Sequence, residues 1–300
     1  MRLFGIMLSK NEGDVIEHTL NHLRQMNCFE KIFFYDTGSK DNTFESAKKY
    51  ADLLHNPQQT GLTFSDQLKF DLLYTNQEHF KEGDWFAIID SDEFYVDNPL
   101  DIIRLAEAEK ATCIKSLSAQ FYITEQDKDI RYNNNISPEL QRSHYLINWG
   151  EVRLMKHIPA YLHNEKDCKS SSSPLQMASK NLLLKHYQYR SPEQIQLRIN
   201  TRLENHKLSN NWGHIHYTNW EDYIVPSKLL HKYDESFKYG LPDNLNLYRV
   251  TNNPAYTHSG LNWLNKNGFL QEPYVKWLKR KPVNHFLYKL IFKLFPYKYY

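Results

Sequence analysis

Asp84-Trp85-Phe86-Ala87-Ile88-Ile89-Asp90-Ser91-Asp92-Glu93-Phe94 is the stretch on which the reading of this chain turns. The run from Trp85 to Ile89 is short, apolar and partly β-branched, the pattern of a buried strand, and an Asp-x-Asp-Glu cluster follows at its carboxyl end. Carboxylates held that close repel one another. A divalent cation or a shared proton is the physical reason to collect them.

Working outward, the N-terminal part of the chain alternates strand and helix patterns. Leu3 to Leu8 read as a buried strand, broken by Ser9-Lys10-Asn11-Glu12-Gly13. Val15, Ile16, Thr19, Leu20 and Leu23 then recur at helical spacing. Lys31 to Tyr35 form a second strand, which runs into the polar turn Asp36-Thr37-Gly38-Ser39-Lys40-Asp41-Asn42-Thr43. Phe44, Ala47 and Tyr50 suggest a helix after it, and Phe64 to Phe80 a longer one with Leu68, Leu72 and Leu73 on its apolar side. Such alternation predicts a largely parallel sheet covered by helices, which binds ligands at the carboxyl ends of its strands. Three polar strand ends, Lys10-Asn11-Glu12, Asp36 to Asp41 and Asp90-Ser91-Asp92, are expected to converge on one edge.

Composition narrows the classes. The chain has 300 residues and a formal charge of +2, so nothing in its balance calls for nucleic acid. Its 21 Tyr and 16 Phe serve a core and also suit stacking on sugar-like ligands. Cys28, Cys113 and Cys168 show no metal or redox spacing, so free thiols in a reducing compartment are expected. The first apolar run is too short for a signal peptide and no stretch reads as a membrane span. The expected location is cytoplasmic.

Taken together, Lys10-Asn11-Glu12, the turn from Tyr35 to Thr43, and Asp90-Ser91-Asp92-Glu93-Phe94 resemble family-2-type glycosyltransferases of the GT-A fold, of the bacterial surface-polysaccharide or lipopolysaccharide type. The family turn reads D-x-G-S-x-D-x-T, and this chain keeps Asp36, Gly38, Ser39, Asp41 and Thr43. The resemblance implies a GT-A (Rossmann-like) α/β fold: a mixed, mostly parallel sheet with helices on both faces, plus a C-terminal helical extension. It implies that Asn11, Glu12 and Asp36 lie near the base and ribose of a UDP- or GDP-sugar, that Asp90 helps orient the donor, and that Asp92 binds Mn²⁺ or Mg²⁺. A hexosyl group would pass to a glycan or lipid-linked acceptor, with inversion.

Downstream, Asn98-Pro99 reads as an N-cap with proline at the first helical position, opening a helix to Ala108. Thr112 to Ile123 and Trp149 to His157 are strand-like. Tyr132 to Ser143 is an acceptor-side loop by elimination. An inverting transfer needs a carboxylate base, for which Glu151 and Glu165 stand equal, with Asp167 as a third candidate. By the same resemblance Arg153, His163 and Glu165 line the acceptor side. An apolar strand then enters His186-Tyr187-Gln188-Tyr189-Arg190-Ser191, similar to an H-Y-x-x-[KR]-S segment of related bacterial enzymes. This similarity implies that His186 is a further metal ligand and that Arg190 faces the diphosphate. Ser191-Pro192-Glu193-Gln194 is also a helix start that needs no function. His214 and His216 lie two apart, without the further ligands that a closed zinc site requires.

The expected domains are 1–205 (nucleotide half 1–110, acceptor half 111–205) and a mostly helical 206–300. Over 279–300, Phe286, Leu287, Leu290, Ile291, Leu294 and Phe295 share a helical face flanked by lysines. That pattern fits a helix resting on an anionic membrane surface and equally a helix packed on the domain. A non-catalytic sugar- or nucleotide-binding module is the alternative from another class. A nucleotidyltransferase would need a basic Gly-rich loop that the sequence lacks.

Overall fold

The strand-helix alternation is realised, in a computed structural model that describes residues 1–55, 66–158, 176–209 and 218–234, as β1 (Leu3–Ser9), α1 (Ile16–Gln25), β2 (Lys31–Asp36), α2 (Thr43–Ala47), β3 (Leu53–His55), α3 (Asp66–Thr75) and β4 (Trp85–Asp90). There follow β5 (Glu93–Tyr95), α4 (Pro99–Ala108), β6 (Cys113–Phe121), β7 (His144–Lys156), β8 (Leu182–His186), α5 (Pro192–Ser209) and β9 (His231–Lys232). The chain divides into two compact units, 1–118 with 150–186, and 119–149 with 187–300.

In the first unit the strands, with the start of β6 and the end of β7, run in the order β3-β2-β1-β4-β7-β6-β8-β5. β1 pairs in parallel with β2 and β4, and β2 with β3, whereas β4 with β7 and β5 with β8 are antiparallel. The sheet is therefore mixed, with a parallel N-terminal half. Period-two alternation sorts the side chains to two faces. Leu3, Met7, Ile32, Phe34, Trp85, Ala87 and Ile89 share a core with Ile16, Leu20 and Leu23 of α1 and Ile102, Ile103 and Ala106 of α4. Phe4, Ile6, Leu8, Phe33, Tyr35, Phe86 and Ile88 pack with Leu68, Leu72 and Leu73 of α3. Helices cover both faces, as expected. At Gly5 an added Cβ would stand 2.7 Å from the Ile89 side chain, so the bare strand position leaves room for that side chain of the neighbouring β4.

α4 begins as predicted: Asn98 is its N-cap, the Asn98 side chain accepts from Leu100 N at 3.0 Å, and Pro99 occupies the first turn. β5 lies beyond the apolar run and was not among the predicted strands. Its three residues pair with β8 rather than with their sequence neighbour β4.

The second unit has its own core of Tyr122, Ile123, Leu146, Tyr189, Ile195, Ile199, Tyr223 and Val225. Ser191 caps α5, accepting from Gln194 N at 3.1 Å, while the Gln194 side chain reaches back to Arg190 N at 3.2 Å. β9 pairs with the beginning of β7. Most of 206–300, the serine-rich 170–174 and the histidines at 214 and 216 lie outside the described residues, as does the basic helix over 279–300. Among the described residues no helix is long and apolar enough to cross a membrane.

Candidate functional site

The three predicted polar strand ends do meet. In register, Ser9 stands beside Asp36 and Leu8 beside Asp90, so the carboxyl ends of β2, β1 and β4 form one edge.

Two loops build the first side of that edge. Asn11, at φ +56°, donates its N–H to Ser39 Oγ at 2.8 Å and accepts from Lys40 N through Oδ1 at 2.8 Å. Glu12 N donates to Thr43 Oγ1 at 2.8 Å, and Gly13 N to Asp41 Oδ2 at 3.0 Å. A side chain at Gly13 would collide with Asn42, its Cβ lying 2.1 Å from Oδ1. The β1 loop and the β2 loop are thus stitched together, and the Asn11 side chain takes part in the stitching. Asp36 is completely buried. Its Oδ1 accepts from Gly38 N at 2.8 Å and Ser39 N at 2.7 Å, with Gly38 at φ +96° where glycine is favoured. Asp36 Oδ2 is buried with no hydrogen-bond partner among the described residues. An orphaned buried acceptor on this edge suits a donor group on a ligand.

The turn after β4 is held from α1. Thr19, buried on the apolar stripe of that helix, donates to Ser91 O at 2.6 Å, and Ser91 Oγ lies 3.3 Å from Ser9 Oγ. Asp90 sits on the α3 side, continuing the alternation of Phe86 and Ile88. Lys69 of α3 approaches Asp90 Oδ1 at 3.3 Å, and Arg153 Nη2 donates to Asp90 Oδ2 at 2.5 Å. The same Nη2 is 2.5 Å from Glu93 Oε1. Burial works to raise the Asp90 carboxyl, but Arg153 and then Lys69 outweigh it and hold Asp90 below the usual carboxylate range. For Glu93 burial dominates and the Asp90 and Asp92 charges add to it, so it is pushed up to about 7 in spite of Arg153. Burial would lower Arg153, yet Asp90 and Glu93 raise it well above its ordinary value. It stays charged.

Asp92 is buried and faces a different partner. Its Oδ1 lies 3.1 Å from His186 Nε2, brought there because Glu93 and His186 are register partners across β5 and β8. Two adjacent donors on an octahedral Mg²⁺-like ion, each about 2.1 Å from it, stand about 3 Å apart, so the pair fits a divalent cation as well as it fits a hydrogen bond. Among the described residues no group of three or more His, Cys, Asp or Glu surrounds one point as a ready-made metal cage. The other ligands would have to be substrate oxygens.

The remaining predicted residues are placed as follows. Glu151 belongs to β7 and is largely exposed, with Oε2 3.5 Å from Arg153 Nη1. Arg153, expected on the acceptor side, points its guanidinium at Asp90 and Glu93. Arg190 is in the second unit, fully buried, and donates through Nη1 to Tyr187 O at 2.8 Å. Glu165, Asp167 and His163 lie outside the described residues.

The roles of Lys69, Thr19 and Glu93 escaped the sequence reading, though two of the residues left a trace. Lys69 precedes Leu72 and Leu73 by three and four residues, and Thr19 sits between Ile16 and Leu20, each a polar residue on an apolar stripe.

No family model matches the sequence, and no curated protein matches it. Solved structures similar to it include glucosyl-3-phosphoglycerate synthase from Mycobacterium tuberculosis in complex with Mn²⁺ and UDP-Glc (19% identity, 43% of this chain and 46% of that one, TM-score 0.27). Others are a mannosyltransferase from Pyrobaculum calidifontis in complex with GDP-Man and Mn²⁺ (14%, 67% and 61%, TM-score 0.39) and TarS from S. aureus (14%, 68% and 40%, TM-score 0.33). The chain spans less than half the length of the synthase. At this degree of similarity the functional reading rests on the chain's own site.

Proposed function

We propose that this chain is a metal-dependent glycosyltransferase of GT-A type that moves a hexosyl group, with inversion, from a UDP- or GDP-sugar to a glycan or lipid-linked acceptor of surface-polysaccharide or lipopolysaccharide assembly. The observation that carries the reading is the Asp92–His186 pair beside an Asp90 whose charge is already compensated, on the same strand-end edge as the orphaned oxygen of Asp36. A site of that kind suits a ligand that brings its own anionic oxygens. A sugar nucleotide is such a ligand.

In this reading Asp92 and His186 hold Mn²⁺ or Mg²⁺, which when bound would offset the charge on the departing diphosphate. Asp36 Oδ2 takes a donor from the base or ribose, and Asp90 orients the donor sugar nucleotide. Asn11 and Glu12 shape the nucleotide loop through their backbone and, for Asn11, its side chain. The acceptor hydroxyl oxygen bonds to the anomeric carbon as the bond from that carbon to the phosphate oxygen breaks. The electron pair leaves with the nucleoside diphosphate, and the hydroxyl proton passes to a carboxylate, Glu151 or Glu165.

The test is release of nucleoside diphosphate from a panel of UDP- and GDP-sugars with Mn²⁺, with glycan and lipid-linked acceptors. Metal-dependent release is expected. Calorimetric binding without turnover across that panel would favour a non-catalytic binding module, and neither binding nor turnover would reject the reading. We further propose a cytoplasmic protein resting on the inner membrane face through 279–300. Equal recovery with and without that segment in flotation on anionic liposomes would exclude the membrane contact.

A further inference from the structure

The proposed donor site leaves unexplained why a second carboxylate, Glu93, is buried directly beside it. Glu93 is 1% exposed and its Oε2 has no hydrogen-bond partner among the described residues, an arrangement that costs stability. Its Oε1 and Asp90 Oδ2 converge on a single nitrogen, Arg153 Nη2, at 2.5 Å each. Arg153 is itself buried, and its Nη1 is 3.5 Å from Glu151, on the solvent side of the cluster. The guanidinium therefore stands between one carboxylate on the ligand edge and another that has no route to the ligand.

We propose that Arg153 is a positioning residue for the sugar-nucleotide donor, and that Glu93 is the fixed anchor that holds its guanidinium against Asp90. This rests on the glycosyltransferase reading of the site. Three strands enforce the arrangement: β4 ends at Asp90, β5 starts at Glu93 after a two-residue turn, and β7 supplies Arg153 through its pairing with β4. The turn between the carboxylates is pinned by Thr19, so neither can follow a guanidinium that drifts. The two N–H bonds of Nη2 lie in the guanidinium plane and so point in fixed directions, whereas the donors of an ammonium of the same charge turn about a flexible stem. Asp90 keeps 30% of its side chain exposed while Glu93 is sealed, so only Asp90 is left to meet the donor.

The consequence is a binding effect. An interaction that orients the donor equally before and during transfer changes KM and leaves kcat alone, whereas general loss of structure lowers the melting point and the amount of active protein. The experiment uses the full chain with Mn²⁺, UDP-glucose and GDP-mannose as probes, reading donor affinity by calorimetry, KM and kcat by diphosphate release, and thermal melting. Arg153→Lys, which keeps the charge, is expected to raise donor Kd and KM about tenfold at nearly constant kcat. Glu93→Ala is expected to do the same, and Glu93→Gln, which restores an acceptor oxygen, to recover most of that loss. If Arg153→Lys melts within a few degrees of the parent and leaves donor Kd and KM within about twofold, the proposal is overturned. The same holds if Glu93→Gln is as impaired as Glu93→Ala in folded protein. Should Glu93→Ala not fold, Arg153→Lys and Glu93→Gln decide the matter. A parent protein that neither binds nor turns over either probe or any other sugar nucleotide overturns the glycosyltransferase reading itself, a result distinct from a working parent with an indifferent Arg153.

Discussion

Asp90 and Asp92 are two residues apart in sequence and live in different electrostatic worlds. Asp90 is enclosed by Arg153 and Lys69, so its negative charge is matched within the protein. Asp92 is more deeply buried and its ion-pair partner is His186, an imidazole that offers a lone pair when neutral. An Asp-x-Asp motif is usually thought of as one metal-binding unit. Here its halves differ in their partners: one carboxylate is held by two cationic side chains, and the other faces an imidazole.

The largest effect that could break this division is on stability. Arg153→Met should destabilise the chain by about 3 kcal/mol, because it removes the buried cation beside Glu93 and leaves Asp90 with Lys69. Asp92→Ala should cost far less. Denaturant melts of both variants compare them directly, and equal losses would erase the distinction. The order should reverse for the metal. Asp92→Ala should weaken Mn²⁺-dependent binding of UDP-glucose or GDP-mannose about a hundredfold, with a smaller loss for His186→Gln, as measured by calorimetry at fixed Mn²⁺. Unchanged binding would remove Asp92 from the site.

The pH response sharpens the same contrast, and is best read with divalent ions chelated. Glu93 holds its proton up to about 7 in the fold against an ordinary 4.5, so between those values the native state binds more protons than the unfolded chain. Its contribution is complete at and below the lower value and is lost as pH rises through the upper one. Asp90, held low, acts in the opposite sense: its contribution is present above the ordinary carboxylate range and disappears as pH falls below it. Glu93→Gln should therefore flatten the decline in stability between about pH 4.5 and 7, by up to one proton in slope. An unaltered slope would mean that Glu93 does not titrate there. Smallest is Thr19→Val, which removes the hydrogen bond to Ser91 O at nearly constant shape and should cost about 1 kcal/mol. A loss of metal-dependent donor binding larger than that would make the turn, and not its carboxylates, the sensitive part.

Much of this was legible in the residues. The short apolar runs Leu3–Leu8, Lys31–Tyr35 and Trp85–Ile89 are strands that feed the two cores on either side of the sheet, and Asn98-Pro99 marks a helix start that the structure keeps. β5 was not legible, because a three-residue strand has no period to read and pairs with a partner from the far side of the sequence. Arg153 stood in the sequence as an acceptor-side residue, since nothing local says which way a strand residue's guanidinium will reach. Lys69 was one polar residue on an apolar stripe, a trace that has meaning only when the carboxylate opposite is known.

By itself, then, the sequence determined the longer elements, their parallel start and the collection of carboxylates at one strand end, because burial period and turn chemistry are local properties of the chain. Only the tertiary structure decided how those carboxylates are paired. Arg153 comes from 63 residues downstream of Asp90, Lys69 from 21 upstream, and His186 through a strand pairing. Charge compensation depends on distances of a few ångströms between such segments, and those are set by strand register and helix packing rather than by any neighbouring residue.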